Sequence, residues 1–285
     1  MKVWGHVFVV TGAGSGIGRE VALEVLLRGG RVAAVDLNPE TLEKTEKLAA
    51  ATDRFSTHVV NIADRPTVEA LPEAVMARHG NVDGVVHCAG IIQPFAKIKD
   101  LDFDTIVRVF AVNWWGTVNI TKAFLPVLLK RPEAHIVNVS SMGGFLPVPG
   151  QTIYGASKAA SKLFTEGLHA ECEGTGVHVT VVFPGAVATN ITANSGVEIP
   201  GSEADMEAQA RRITPADRAA RDIVDGMERN AYRVLIGRDA KTMDGLYRLA
   251  PKRAAGMVAR QMKSLLRRPS GSQGSDTAPQ APGLR

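Results

Sequence analysis

Only two cysteines, Cys88 and Cys172, occur in the chain. They form no ligand cluster and suggest no disulfide framework, so they read as two reduced thiols of a cytoplasmic protein. Long apolar runs are missing too: no stretch of about 18 uncharged apolar residues exists, which excludes a spanning helix. After Met1-Lys2 the chain enters an apolar strand pattern, with no cleavable signal architecture. No set of side chains has metal-ligand spacing. Strong overall charge is also lacking, at net +4, and even that is local. Residues 238–268 hold nine Lys/Arg against Asp239 and Asp244, or +7, leaving −3 for the first 237 residues and zero for the last 17. A mildly acidic body with one basic segment does not suggest nucleic-acid binding.

What is present is ordinary for a globular chain: 45% hydrophobic and 22% charged residues. Length allows one large α/β domain or two small ones. Val7-Phe8-Val9-Val10 is a β-forming run that ends in Thr11-Gly12-Ala13-Gly14-Ser15-Gly16-Ile17-Gly18, and an amphipathic helical pattern follows. Strand, glycine turn and helix is the context a dinucleotide phosphate needs. Gly12 permits the tight turn, Gly16 lets a pyrophosphate approach the backbone, and Gly18 lets helix and strand pack. The helix N-terminus faces the anion. A second strand over residues 31–35 ends in Asp36, placed for the hydroxyls of an adenosine ribose. A 2′-phosphate would meet like charge there. Neither Ser15 nor Leu37-Asn38 offers it a cation, so the expected cofactor is NAD(H) rather than NADP(H).

The chain then alternates. Helical patterns cover residues 39–51, 64–79, 101–129, 152–173 and 215–230, and strands cover 55–60, 82–87, 135–139, 177–183 and 232–236. With the first two strands this makes seven, and the alternation predicts an α/β fold with one doubly wound parallel sheet and helices on both faces. Ligands of such sheets bind beyond the carboxyl ends of the strands. There lie Asn61-Ile62, where the amide could meet an adenine edge or simply form a turn, and His87-Cys88-Ala89-Gly90. Ser140-Ser141 and Pro184 to Thr189 follow later strands. Asn113, ahead of Gly116, invites a local distortion of the long helix. Tyr154 and Lys158, four apart, share one helix face. A phenol titrates near pH ~10, and a neighbouring ammonium would favour its ionised form. The pair could be an acid/base device or two solvated side chains.

Taken together, the glycine pattern at 11–18, Asn113, Ser141, Tyr154 with Lys158, and Pro184-Gly185 resemble the short-chain dehydrogenase/reductase family, over about residues 3–240. The resemblance implies a Rossmann-type NAD-binding domain at 1–240 that interconverts an alcohol and a carbonyl compound by hydride transfer. It implies Tyr154 as general acid/base, and it picks Ser141, thirteen residues upstream, over Ser140. Asn113 would hold a water near Lys158, and Thr189 would touch the nicotinamide carboxamide. Cofactor contacts are then expected at Gly12, Ser15, Gly16, Ile17, Gly18, Asp36, Leu37, Asn61, Ile62, Cys88, Ala89 and Gly90. Tyr154, Lys158, Pro184, Gly185, Val187 and Thr189 complete that set. Two positions depart from the family: its usual Asn-Asn-Ala-Gly is here His87-Cys88-Ala89-Gly90, and its usual Asp after the third strand is Asn61. His87 and Cys88 read as packing residues.

Ser141, Met142, Phe145 and Tyr154 are the expected substrate contacts. With Trp114, Leu146, Pro147 and Pro149 nearby, a hydrophobic alcohol or ketone is favoured over a sugar, although several of these could be ordinary core. Residues 191–210 are expected to form a lid. Beyond the domain, residues 241–268 form a basic helical extension. Its 252–268 part either lies on an anionic membrane or packs on the body or a partner subunit with its charges solvated, and the second reading is preferred. Residues 269–285 read as a disordered tail. The family commonly forms dimers or tetramers through its long helices, here 101–129 and 152–173. The alternatives are a non-catalytic dinucleotide sensor or scaffold and an NAD-dependent epimerase or dehydratase.

Overall fold

A computed structural model describes residues 1–51, 53–197 and 213–263. Seven strands form one parallel sheet: β1 (Val7–Thr11), β2 (Arg31–Asp36), β3 (Phe55–Val59), β4 (Gly84–His87), β5 (Ala134–Val139), β6 (Val177–Pro184) and β7 (Arg233–Ile236). Their order is β3-β2-β1-β4-β5-β6-β7, so the winding reverses between β1 and β4 and opens a crevice there. β1, β4 and β5 are buried throughout, as Val-rich strands covered on both faces must be. The edge strand β3 alternates instead. Helices α1 (Gly16–Leu27) and α8 (Ala216–Glu228) cover one face with Val21, Val25, Ile223 and Met227. Helices α3 (Arg65–His79), α5 (Gly116–Leu128) and α6 (Thr152–Glu171) cover the other with Val68, Ile120, Phe124 and Leu168. Helix α2 (Pro39–Ala49) connects β2 to β3, and its N-cap Asn38 accepts from the amides of Glu40 and Thr41. No described helix is long and apolar enough to cross a membrane.

One expectation needs correction. The pattern over 101–129 is not one helix: α4 (Phe103–Phe110) passes through a π-helical turn at Ala111–Trp115 into α5. The bulge falls on Asn113 and precedes Gly116, against which the Ile62 side chain packs too closely for a Cβ. The basic extension is likewise two helices, α9 (Arg238–Leu249) and α10 (Pro251–Met262). They divide at Ala250, and Pro251 takes the first position of α10, where a proline's missing N–H costs nothing. The expected boundary at residue 240 therefore falls inside α9. Ala254 of α10 is buried while Lys252, Arg253 and Arg260 face outward. Of the expected lid, the short helix α7 (Ile191–Asn194) and the turn after it are described; 198–210 and the tail at 269–285 lie outside the described residues.

Below the sheet, opposite the crevice, Asp83 is only 1% exposed and accepts from the Val7 amide at 2.8 Å and from Arg131 at 2.7 Å. Removing the carboxylate leaves the buried Val7 amide without an acceptor, while the partly exposed Arg131 can turn to water. Asp83→Ala is expected to lower unfolding free energy by about 1–3 kcal/mol, read from urea midpoints. A loss below about 1 kcal/mol would show that this pair does not tie β1 to β4.

Candidate active site

The crevice begins where β1 turns. Gly12 has φ +68°, and a Cβ on it would come within 2.9 Å of the Ala89 backbone, so the loops after β1 and β4 meet only because this residue is glycine. Helix α1 then starts without a side-chain cap: Ser15, its N-cap, leaves the first-turn amides free. An uncapped helix N-terminus facing a cleft fits a phosphate group. Asp36 faces the same loop, its Oδ2 accepting from the Gly14 amide at 2.9 Å and its Oδ1 from Asn38 at 3.1 Å. Between them lies a cavity of about 370 Å³. It is lined by thirteen of the residues expected to hold a cofactor: Gly12, Ser15, Gly16, Ile17, Gly18, Asp36, Leu37, Asn61, Ile62, Cys88, Ala89, Gly90 and Thr189. An elongated dinucleotide with anions at the centre and a hydroxylated sugar at one end fits this donor set.

Other expected contacts do not line it. Gly185 has its own reason: the Asp239 carboxylate at the start of α9 occupies the place of a side chain there and accepts from the Ala186 amide at 2.8 Å. Val187 bridges to Thr214. These residues carry the backbone toward Thr189, whose side chain lies over Gly16. Asn61 acts as a turn former, its Oδ1 accepting from the Ala63 amide at 3.0 Å.

At the ends of β5 and α6 the proton-handling candidates converge. The Ser141 oxygen accepts from the Gly143 amide at 3.0 Å, and beside that glycine it meets the Tyr154 ring. Ser140, by contrast, is buried and donates to the Lys158 carbonyl at 2.7 Å, which holds α6 against β5. Lys158 is 4% exposed, and its ammonium donates to the Val139 carbonyl at 3.0 Å. Gly90 lies beside this ammonium, linking the cofactor cavity to the cluster. Asn113 is fully buried; its Nδ2 donates to the Ile91 carbonyl and to Ser157 Oγ, and its Oδ1 accepts from the Ile91 amide at 2.9 Å. Its main-chain carbonyl accepts from Thr117 and Ser161. A water near Lys158 would therefore depend on the remaining lone pair of Oδ1.

Burial sets the charges. It pushes the Tyr154 phenol above its ordinary value of 10, and the Ser141 hydroxyl pulls the other way. It lowers Lys158 from 10.5 to about 8, close to the range where a lysine gives up its proton. Cys88 is pushed up to about 12 by burial, which makes it an unreactive thiol. His87, buried against Thr11 at 2.8 Å, is lowered to about 3 and is neutral.

The apolar residues around the cluster divide. Leu146 is core, Phe145 packs edge-on against Phe183 at 5.5 Å, and Trp114 packs against Phe164 at 5.6 Å. Met142 stays half-buried next to Ser141. Three other residues act here without a sequence signal. Arg19 donates to the Gly14 carbonyl and to Thr45 Oγ1, bracing the glycine turn. Asn194 of α7 donates to Ser15 Oγ at 2.8 Å and so crosses the cavity mouth. Gln93 reaches the first turn of α6.

Known proteins resemble this chain in sequence and in fold. The family model described as short chain dehydrogenase matches residues 6–199. The putative oxidoreductase SadH of Mycobacterium tuberculosis is 36% identical over 261 residues, spanning 90% of this chain and 94% of its own. A short-chain dehydrogenase/reductase of Burkholderia phymatum, solved with NAD, superposes with a TM-score of 0.76 at 24% identity and covers 96% of this chain and 100% of that one. A short-chain dehydrogenase of Burkholderia cenocepacia, solved with NADP, gives 0.75 at 24%, covering 90% and 99%. The matched model spans the glycine turn, Asp36, Asn113, Ser141, Tyr154, Lys158 and Thr189 in one run of sequence, and so this chain belongs to the short-chain dehydrogenase/reductase family of oxidoreductases.

Proposed function

We propose that the protein interconverts a secondary alcohol and its ketone, or an aldehyde and its alcohol, using NAD(H), with Tyr154 as the general acid/base. The observation that carries the reading is that the Ser141 hydroxyl and the Tyr154 ring meet beside Gly143, while the buried Lys158 ammonium adjoins Gly90 in the wall of the dinucleotide-sized cleft. The bound nicotinamide would supply the hydride acceptor or donor. Tyr154 Oη takes the alcohol proton in oxidation and returns it in reduction. Ser141 donates to the substrate oxygen and orients it. Lys158, four residues on along the same helix, would favour phenolate as a cation, and its pKa near 8 lets it exchange protons at mildly alkaline pH. Asn113 keeps the loop after β4 in place beneath the cluster.

Asp36 supports NAD over NADP, because a carboxylate at that spot repels a 2′-phosphate. The Arg19 guanidinium, the nearest cation to the loop, is committed to Gly14 and Thr45. A hydrophobic substrate is supported by Met142 beside Ser141 and by Ile91, Val112 and Ile191 in the cavity wall. A homo-oligomer is supported by Phe103 and Val107 of α4, Trp115 and Leu163 of α6, all more than half exposed.

The test is a panel of hydrophobic secondary alcohols, run with NAD⁺ and NADP⁺ in parallel while following reduced cofactor. Turnover with NAD⁺ is expected, and its absence across the panel would favour a sensor. In the same assay Asp36→Ala should reduce the NAD⁺:NADP⁺ preference at least about tenfold, the loss expected when a charged hydrogen-bond acceptor is removed. An unchanged ratio would remove Asp36 from the specificity argument.

A further inference from the structure

Helix α6 carries Tyr154 in its first turn, where backbone amides have no partner inside the helix. Its own N-cap, Gln151, makes no side-chain cap. The partner comes from far away in sequence. Gln93, 0% exposed, accepts with one oxygen, Oε1, from the amides of Ile153 at 2.8 Å and Tyr154 at 2.9 Å. Its Nε2 donates to the Gly150 carbonyl at 3.1 Å, and Gln151 Nε2 returns a bond to the Gln93 carbonyl at 2.9 Å. The two residues before it are also committed. Ile91 is held at both backbone groups by Asn113, and the Ile92 amide donates to Ser195 Oγ just past α7 at 3.0 Å. One tripeptide after β4 thus holds the π-helical turn, the α7 segment and the start of the helix that bears the phenol.

The chemistry of the cap is informative. Local helix energetics favour an acidic group at this end, since a carboxylate complements the positive pole of the helix dipole. A neutral amide stands there instead. A carboxylate would put negative charge next to Tyr154 and oppose ionisation of a phenol whose pKa burial already raises. It would also repel the Gly150 carbonyl, which the amide satisfies.

We propose that Gln93 is a positioning residue for the reaction, fixing Tyr154 through the backbone of α6 with an acceptor that carries no charge. The inference rests on the reading of Tyr154 as the proton carrier. Gln93→Leu keeps the bulk and removes the acceptor, so Tyr154 loses its anchor. With 1-phenylethanol as probe, kcat should fall about ten- to a hundredfold, the range that a misplaced reacting group costs. NADH affinity should stay within about twofold, since Gln93 is not part of the cofactor cavity's lining. Gln93→Glu retains the acceptor and adds charge, and its readout needs no substrate. The chain has three tyrosines. The near-ultraviolet phenolate absorbance of each form with NAD⁺ present, minus that of its Tyr154→Phe counterpart, isolates Tyr154. Its midpoint should move up by about one pH unit in Gln93→Glu.

An unshifted midpoint, or a Gln93→Leu protein with full kcat, would overturn the proposal. So would loss of NADH binding in step with activity, which marks a merely structural role. If Gln93→Leu does not fold, the titration of Gln93→Glu decides alone. Turnover by Tyr154→Phe itself would instead defeat the underlying reading, so the two failures are separable.

Discussion

Tyr154→Phe is expected to lower turnover of any accepted alcohol by about a thousandfold or more, within the range that general acid/base groups contribute. NADH affinity should stay within about threefold, because the ring that packs against its surroundings is kept and only the hydroxyl is lost. The split between the two readouts matters. A fold defect would lower both, whereas a lost proton carrier lowers the chemical step alone. Ser141 favours the ionised form of the phenol that is removed, so Ser141→Ala should resemble the tyrosine variant in direction. Retained turnover by Tyr154→Phe would mean that another group moves the proton. Lys158, with its pKa near 8, is then the next residue to replace.

Unfolding by mild acid is the second large effect. His87 and His135 are essentially without solvent exposure, and burial lowers both from 6.5 to about 3. His79 is lowered to about 4 by burial and by the nearby charges of Arg31 and Arg78. Each folded-state value lies below the unfolded one. Between these limits the unfolded chain binds protons that the folded chain refuses, so stability is full above about pH 6.5 and falls as pH drops. At pH 4.5, two pH units below the unfolded value, the cost is about 2.7 kcal/mol for each of His87 and His135, or about 5 kcal/mol together. That is comparable to the whole stability of a typical domain. Urea midpoints measured from pH 7.5 to 4.5 should fall steadily, and His87→Asn should recover roughly a third of the loss, since His79 contributes a comparable share. A flat profile would mean that these imidazoles become charged in place.

The features legible in sequence share one property: their chemistry is local to a strand end. The glycine turn, Asp36, the residues around Cys88, and Ser141 each follow an apolar run directly, and parallel winding brings those run-ends to one edge. Gln93 could not be found this way. It is an ordinary polar residue in a loop, and its partners at Ile153 and Tyr154 are about sixty residues on. The same limit applies to Asp83 and Arg131, paired across 48 residues. Spacing put Tyr154 and Lys158 on one face of α6, yet could not show that the ammonium would donate to Val139. Apolar neighbours in sequence proved the weakest guide. Phe145 and Trp114 adjoin site residues in the chain but pack onto Phe183 and Phe164, because core burial competes for large rings wherever they occur. The break at Ala250 was legible in principle, through the proline that follows it.

The bond from Asp239 to the Ala186 amide bears on how chains of this kind can be recombined. It makes the first turn of α9 a backstop for the loop that ends at Thr189, so the far end of the polypeptide helps to shape the mouth of the cleft. A chimaera that exchanges C-terminal segments between relatives would need its junction after Leu249. One made before Arg238 would import a foreign backstop, and with it a loop set to another protein's dimensions.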